Sequence, residues 1–77
     1  MNEIINNYIF ASKLFNEKYK KEYQIQIFID FNYLNIFLHN LQNNKYTKVQ
    51  ILNNEINDLS SEEILLAYEE LIKRLYE

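Results

Sequence analysis

The chain has 77 residues, a formal net charge of −3, and no cysteine, glycine or proline. This length has room for a single small domain, residues 1–77, and the missing residue types exclude disulfides, thiolate metal sites and glycine-rich phosphate loops. Residues 1–48 carry six basic and four acidic side chains, whereas residues 49–77 carry two basic and seven acidic ones, so the charge distribution is dipolar.

Asparagine is unusually abundant, with twelve residues, and it replaces glycine at the expected turns because it tolerates the left-handed backbone region. Abundant Asn, Ile, Lys, Tyr and Phe beside absent Gly and Pro are typical of an AT-rich genome, which indicates a bacterium, plasmid or phage. No apolar run is long enough to cross a bilayer, and Glu3 stands where a signal peptide would be basic. We therefore expect a cytoplasmic protein that does not contact a membrane.

Residues 2–22 are predicted to form an amphipathic helix. Its apolar stripe holds Ile4, Ile5, Tyr8, Ile9, Ala11, Ser12, Leu14, Phe15 and Tyr19, and Phe10 lies off that stripe. The lysines of the last turn suit the negative end of the helix dipole, and Glu17 and Glu22 interleave with them. A phosphate-binding patch is the alternative interpretation, and it would use Lys13, Lys18, Lys20 and Lys21.

Residues 24–31 alternate between apolar and polar side chains, which predicts a strand. One face would hold Ile25, Ile27, Ile29 and Phe31, and the other Gln24, Gln26 and Asp30, interrupted by Phe28. A strand with one apolar face is not stable alone, so the flanking segments are expected to pair with it and cover it.

Residues 32–42 fit two patterns: a strand over 34–41, or a short helix capped by Asn32. The strand is favoured because Ile and Phe are enriched in strands and because a hairpin signal, residues 42–45, follows at once. A third strand is then predicted over residues 46–52, with Thr47, Val49 and Ile51 on one face.

The last helix has the clearest start signal, since Ser60 as N-cap and Glu63 form a capping box, and Leu59 and Ile64 a hydrophobic staple. Its buried stripe is predicted to hold Ile64, Leu65, Tyr68, Leu71, Ile72 and Leu75, and its wet side the ion pairs Glu69–Lys73 and Glu70–Arg74. The predicted fold class is α+β in the order α-β-β-β-α, a three-stranded antiparallel sheet with two helices packed on one face.

Nothing in the sequence predicts catalysis, a metal site or a cofactor. His39 is the only histidine, and the serines a nucleophilic triad would need lie on a helix stripe (Ser12) or at a helix cap (Ser60). The acidic residues of the second half lack the spacing of a calcium loop: Glu55, Asp58, Glu62 and Glu63. We therefore expect a protein that is not an enzyme.

Two helices can cover only one face of a three-stranded sheet, so the other face is expected to be open. There Phe28, Phe37 and Tyr46 would form an aromatic patch beside His39 and Lys48, with Gln24, Gln26, Asp30 and Gln50 around it. Exposed aromatic clusters with polar rims mark binding surfaces, although a dimer mate or the first helix would equally explain such a patch.

The element order resembles the double-stranded-RNA-binding domain in outline. That family carries lysines at the start of its last helix, where this chain has Ser60-Ser61-Glu62-Glu63, and acidic groups there would repel phosphate. The same order with an acidic balance is similar to some small phage-encoded inhibitors of CRISPR nucleases, which occupy nucleic-acid sites with carboxylates. Both resemblances concern the fold alone.

The leading hypothesis is a non-enzymatic protein-binding module, of the kind that phages and mobile elements use to inhibit a larger host protein. Its partner-binding residues would be Phe28, Phe37, His39, Tyr46 and Lys48 on the open face, and Glu55, Asp58, Glu62 and Glu63 in the acidic region. A homodimer through the open face is a further possibility for this surface. The competing hypothesis is a nucleic-acid-binding domain that uses the first-helix lysines with the sheet aromatics.

Overall fold

The computed structural model describes residues 2–75. It contains α1 (Asn2–Lys18), β1 (Tyr23–Ile29), β2 (Tyr33–Asn40), β3 (Lys45–Leu52), a 3-10 turn (Asn53–Glu55) and α2 (Ser61–Leu75). The strands form one antiparallel sheet in the order β1-β2-β3, so the predicted α-β-β-β-α order is confirmed.

The hydrophobic core lies between one face of the sheet and the two helices. β2 is the central strand, and its inward side chains Leu34, Ile36 and Leu38 are all buried. They pack in one cluster with Tyr8, Ala11, Phe15, Tyr23, Ile25, Ile64 and Tyr68. Both helices therefore cover the same face, as predicted, because only that face presents a continuous apolar surface.

The two helices are joined inside this core by a hydrogen bond. The buried hydroxyl of Tyr68 donates to the backbone carbonyl of Tyr8 at 2.9 Å, and burial raises the pKa of that hydroxyl. The Phe15 ring meets the Tyr68 ring edge-on, with centroids 6.2 Å apart. These contacts fix how the helices lie against each other beneath the sheet.

Residues 32–42 form β2 and its turn, so the favoured strand is confirmed and the alternative helix is wrong. A helix there would have left Ile25 and the inner side of β3 without a partner strand. The turn that follows contains Asn44 in the left-handed region at φ 58°, as expected for an asparagine that replaces glycine. Asn40 supports this turn, because its side-chain oxygen accepts the Gln42 N–H at 3.0 Å.

The first helix is shorter than predicted, ending at Lys18 instead of residue 22. The Tyr19 carbonyl accepts the N–H groups of Glu22 and Tyr23, each at 2.9 Å, and this turn redirects the chain into β1. The centre of the helical stripe is confirmed, since Tyr8, Ala11, Ser12 and Phe15 are buried, but the prediction that Leu14 belongs to it is wrong because Leu14 is exposed.

The first strand ends at Ile29, so the prediction that Phe31 shares its helix-facing side is wrong. Phe31 lies in the β1–β2 turn and is 99% exposed. The cause is local. The Asp30 side-chain oxygen accepts the N–H groups of Asn32 and Tyr33 at 2.9 and 2.8 Å, so a turn begins at Asp30 and Phe31 lies within it. Ile29, the last residue of β1, is also exposed although it still pairs with Leu34.

The start of the last helix is as predicted. The Ser60 hydroxyl accepts the Glu63 N–H, and the Glu63 carboxylate accepts the Ser60 N–H, both at 3.2 Å, which is the reciprocal pattern of a capping box. Leu59 packs against the core beside Ile64. The predicted burial of Leu75 concerns a side chain that lies outside the described part of the structure, which includes only the backbone of this residue.

The predicted ion pairs of this helix are wrong. Glu69 pairs with Lys18 of α1 at 2.6 Å, and Glu70 pairs with Lys73 at 3.2 Å. Lys18 on α1 thus replaces Lys73 as the partner of Glu69, and Lys73 pairs instead with Glu70. Within the described chain, neither helix is long and apolar enough to cross a membrane.

Candidate functional site: the open face of the sheet

The face of the sheet opposite the helices carries three rows of side chains, each crossing all three strands. The antiparallel register places Gln24, His39 and Tyr46 in the first row, Gln26, Phe37 and Lys48 in the second, and Phe28, Asn35 and Gln50 in the third. The sheet therefore brings together the predicted partner-binding residues of this face: Phe28, Phe37, His39, Tyr46 and Lys48.

Phe28 and Phe37 form the first ring pair of this face. Their rings meet edge-on with centroids 5.4 Å apart, and the Lys48 ammonium lies 5.7 Å from the Phe37 ring centre on the other side. Phe28 is nevertheless 55% exposed. An aromatic side chain that is both held in place and half exposed can give a large apolar contact to a partner at little entropic cost.

His39 and Tyr46 form a second ring pair. The two rings stack at 4.1 Å with an angle of 10°, and Nε2 of His39 lies 2.7 Å from Oδ1 of Asn44 in the hairpin turn. Tyr46 is 60% exposed. The sequence predicted one patch of Phe28, Phe37 and Tyr46; the register instead makes two pairs, because Tyr46 lies opposite His39.

A chain of amide hydrogen bonds fixes the third row. Gln50 donates to Asn35 at 2.8 Å, and the buried Asn35 amide donates to the Asp30 carboxylate at 3.1 Å and the Phe28 carbonyl at 3.2 Å. With Phe28, Phe37 and Lys48 these groups line an open depression of about 340 Å³. The polar groups of this floor are thus hydrogen-bonded to one another.

Asp30 remains ionised at the edge of this depression. Hydrogen bonds from the backbone N–H groups of Asn32 and Tyr33, and then from the Asn35 amide, hold the pKa of its carboxyl below the ordinary value, with a smaller contribution from Lys48. The open face therefore presents one carboxylate and one ammonium group, Asp30 and Lys48, beside the Phe28–Phe37 pair.

The acidic residues proposed as partner-binding do not share this surface. Asn7 donates to the Leu59 carbonyl and Tyr8 to the Asn57 carbonyl, both at 3.1 Å, so this connector lies against α1 on the helix side of the sheet. Asp58 belongs to the same segment. Glu55, Glu62 and Glu63 are exposed, and Glu63 is engaged in its helix cap. A flat partner on the open face would not contact the connector.

The lysines of the alternative nucleic-acid site are partly neutralised. Lys18 pairs with Glu69, and Lys20 pairs with Glu17 at 3.0 Å. Hydrogen bonds from Lys18 and Tyr19 lower the pKa of Glu69, which keeps this carboxylate charged beside the lysine. Of the four, Lys13 and Lys21 are the exposed lysines for which the structure shows no ion pair.

Within residues 2–75, the serines considered for a nucleophilic triad do not lie beside His39. Ser12 is buried on the helix side and donates to the Ile9 carbonyl at 2.6 Å, whereas His39 lies on the open face. Ser60 is occupied as a helix cap. Among residues 2–75, no three His, Cys, Asp or Glu side chains are grouped so that they could hold a metal ion.

One exposed residue was missed as a candidate contact. Phe31 projects fully into solvent from the β1–β2 turn, next to the depression that Asp30 and Phe28 line. A signal was available in the sequence, because an Asp side chain often accepts the backbone N–H two residues on, and such a turn at Asp30 interrupts strand alternation.

No protein-family model, curated protein or solved structure matches this chain.

Proposed function

We propose that this chain is a non-enzymatic protein-binding module whose open sheet face docks on a larger host or cognate protein. In this proposal the module is an inhibitor encoded by a phage or mobile element. The observation that supports this proposal is the Phe28–Phe37 pair, exposed at 55% for Phe28 and surrounded by polar groups that are already hydrogen-bonded to each other.

The side chains of the open face are preorganised for binding. A partner that covers Phe28 and Phe37 gains the burial of aromatic surface without first breaking hydrogen bonds of the Asp30–Asn35–Gln50 chain. Rigid aromatic side chains flanked by satisfied polar groups are the usual anchors of protein interfaces. Phe31 and Tyr46 would extend this contact at two ends of the face.

The acidic residues act at longer range in this proposal. Asp58, Glu62 and Glu63 lie in the connector and α2, away from the open face, so they would steer a basic partner without being buried in the contact. Substituting them is expected to change the rate of association and its dependence on salt more than the rate of dissociation.

Nucleic acid is the competing partner, and a specific contact weighs against it. Two of its four candidate lysines, Lys18 and Lys20, are paired with glutamates, which lowers the net positive charge that this helix end offers to a phosphate backbone. Salt-dependent retention on single-stranded DNA or RNA would favour this competitor. Absence of retention at low salt would eliminate it.

The decisive experiment compares two phenylalanines that are equally exposed on different sides of the molecule. The tagged protein captures its partner from host lysate, mass spectrometry identifies that partner, and titration with the purified partner then gives Kd. Phe28→Ala is expected to weaken binding at least about tenfold. Phe10→Ala is the matched control, because Phe10 is 54% exposed on α1, and it should leave Kd unchanged.

Folding is checked in the same variants by thermal unfolding. Phe31→Ala is informative here, since a side chain that is 99% exposed contributes little to stability, so any loss of binding reports on the contact itself. If Phe28→Ala and Phe31→Ala both bind the partner as the unmodified chain does, the open face is not the docking surface. Equal losses in Phe28→Ala and Phe10→Ala would also contradict the proposal.

A further inference from the structure

The outer edge of β3 has backbone groups without partners in the described part of the chain. The Asn53 N–H donates to the Asn32 carbonyl, and this bond fixes the alternation of the ladder beyond it. The backbone N–H and C=O groups of the odd-numbered residues of β3 point toward β2. The outward groups are the N–H and C=O of Tyr46, Lys48 and Gln50 and the N–H of Leu52, because the Leu52 C=O accepts the first bond of the 3-10 turn.

The first half of the opposite edge, β1 residues 23–25, is closed by α1 and the turn after it. The Asn16 side chain accepts the Ile25 N–H at 2.7 Å and donates to the Ile25 carbonyl at 3.0 Å, as a neighbouring strand would. The Tyr23 N–H is taken by the Tyr19 carbonyl. The β1 edge is thus blocked at its first half, whereas the β3 edge has outward groups available for pairing along its length.

The segment that follows β3 does not cover this free edge. The Asn53 side chain donates to the carbonyls of Asp30 and Phe31, at 3.3 and 2.8 Å, and so folds toward the β1–β2 turn. The Asn57 carbonyl then accepts the Tyr8 hydroxyl under the sheet. The connector therefore passes to α1, away from the outer side of β3.

The inner side of β3 is also incompletely covered. α1 packs on β1 and α2 packs on α1, so the helices are displaced from the β3 side of the sheet. A mainly apolar groove of about 220 Å³ remains between β3 and α2, lined by Val49, Ile51, Ile64 and Leu71 among others. Val49 and Ile51 are consequently only half-buried.

We infer that the β3 edge pairs with the β3 edge of a second copy of this chain, antiparallel about a two-fold axis at Val49. Tyr46 then lies opposite Leu52 of the second copy, and Lys48 lies opposite its Gln50. Val49 lies opposite Val49 of the second copy. This register uses the outward groups of Tyr46, Lys48 and Gln50 and the Leu52 N–H, and it forms about six backbone hydrogen bonds between the two chains.

The side chains favour this register over its neighbours. Moving the axis to Lys48 would place the two ammonium groups directly opposite each other, which is destabilising. Moving it to Thr47 or to Gln50 would shorten the pairing, because the second copy would run into the hairpin turn or past Leu52. The axis at Val49 instead joins apolar residues on both faces and pairs each lysine with an amide.

A second copy also accounts for the uncovered inner side. In this register Val49 and Thr47 of the second copy lie beside Val49 and Ile51, on the side where the helices leave the groove. The two sheets become one six-stranded sheet, and their open faces become continuous. This inference concerns the strand edge and does not depend on the proposed function of the open face.

Cysteine cross-linking tests the register directly, because the chain has no cysteine of its own. Facing residues at a position without direct backbone hydrogen bonds have Cα atoms about 4.5 Å apart, which suits a disulfide. Under mild oxidation Val49→Cys is expected to give a covalent dimer. Thr47→Cys is the matched control, since Thr47 would face Ile51 of the second copy, and it should remain a monomer on a non-reducing gel.

Sedimentation equilibrium tests the hydrogen bonds of the edge. Lys48→Pro removes an outward N–H that has no partner within the protomer, so the fold is retained while the dimer Kd rises at least about tenfold. Lys48→Ala removes the same side chain but keeps the N–H, and its Kd should stay within about threefold. Circular dichroism confirms that both variants are folded.

The outcomes separate cleanly. A chain that stays monomeric in sedimentation and whose Val49→Cys variant does not cross-link overturns the inference. A dimer that is insensitive to Lys48→Pro, or equal cross-linking by Thr47→Cys, places self-association elsewhere and overturns it as well. Phe28→Ala should leave dimerisation unchanged, which distinguishes failure here from failure of the proposed function.

Discussion

Replacing Asn16 with alanine should destabilise the protein by about 2 kcal/mol. The Asn16 amide satisfies both the N–H and the carbonyl of Ile25, at 2.7 and 3.0 Å, on the closed edge of β1. A typical intramolecular hydrogen bond contributes about 1 kcal/mol net, and Ile25 is only 2% exposed, so water replaces these bonds poorly. In a small domain this is a large fraction of the total stability.

Urea unfolding followed by circular dichroism measures this loss. The midpoint should fall with an unchanged m-value, and Tm should drop by roughly 8–16 °C, since each kcal/mol shifts Tm by about 4–8 °C in a domain of this size. Glu17→Ala is the control, because Glu17 is exposed and pairs only with Lys20 at the surface, where such a pair contributes less than about 1 kcal/mol.

Asn16→Asp refines the comparison. Aspartate can still accept the Ile25 N–H, but it cannot donate to the Ile25 carbonyl and would place a carboxylate oxygen against that carbonyl oxygen. Asn16→Asp should therefore lose at least as much stability as Asn16→Ala. A loss below about 0.5 kcal/mol for Asn16→Ala would refute the reasoning, because it would mean that water serves the strand edge as well as the amide does.

Two further predictions concern the α2 cap and the β1–β2 turn. Ser60→Ala should cost about 1 kcal/mol in urea unfolding, and Ser61→Ala, which removes a hydroxyl outside the capping box, should cost clearly less. The pKa of Asp30 is lowered, chiefly by the Asn32 N–H, so its ionised form stabilises the fold; that contribution is complete above its ordinary pKa of 3.8 and is lost as the pH falls below it. Asp30→Asn should flatten the stability profile in this acidic range, and an unchanged profile would contradict this assignment.

Local signals were sufficient to predict most of the fold. The capping box at Ser60 is self-contained within four residues, and the alternation around Ile25 repeats every second residue, so neither depends on distant parts of the chain. The segment that forms β2 was ambiguous because it is apolar on both faces. Only the hairpin signal ending at Asn44 favoured the strand that the structure contains.

The errors have a common physical cause. Helical periodicity continues through Tyr19, but the turn that ends α1 depends on β1 pairing beyond it. Alternation likewise continues through Phe31, although the Asp30 side chain closes a turn first. Glu69 was assigned a partner in its own helix because Lys18, 51 positions away, is invisible to any local pattern.

The candidate surface was predicted in its members but not in its arrangement. Which face of the sheet is open followed from the strand alternation, and Phe28 and Phe37 were placed there correctly. The division into two ring pairs follows from the register, which pairs Tyr46 with His39. Register is set by the turns between the strands, and their lengths could not be read from the sequence to within one residue.

The helices that share the core come from opposite ends of the described chain, since Tyr68 reaches across 60 positions to the Tyr8 carbonyl. During synthesis the hairpins can pair early. The apolar, helix-facing side of the sheet stays incompletely covered until Ile64 and Tyr68 have left the ribosome. A nonsense mutation before α2 would therefore release a fragment with that apolar face exposed. Proteases and chaperones would recognise this fragment, and it would not act as a smaller version of the protein.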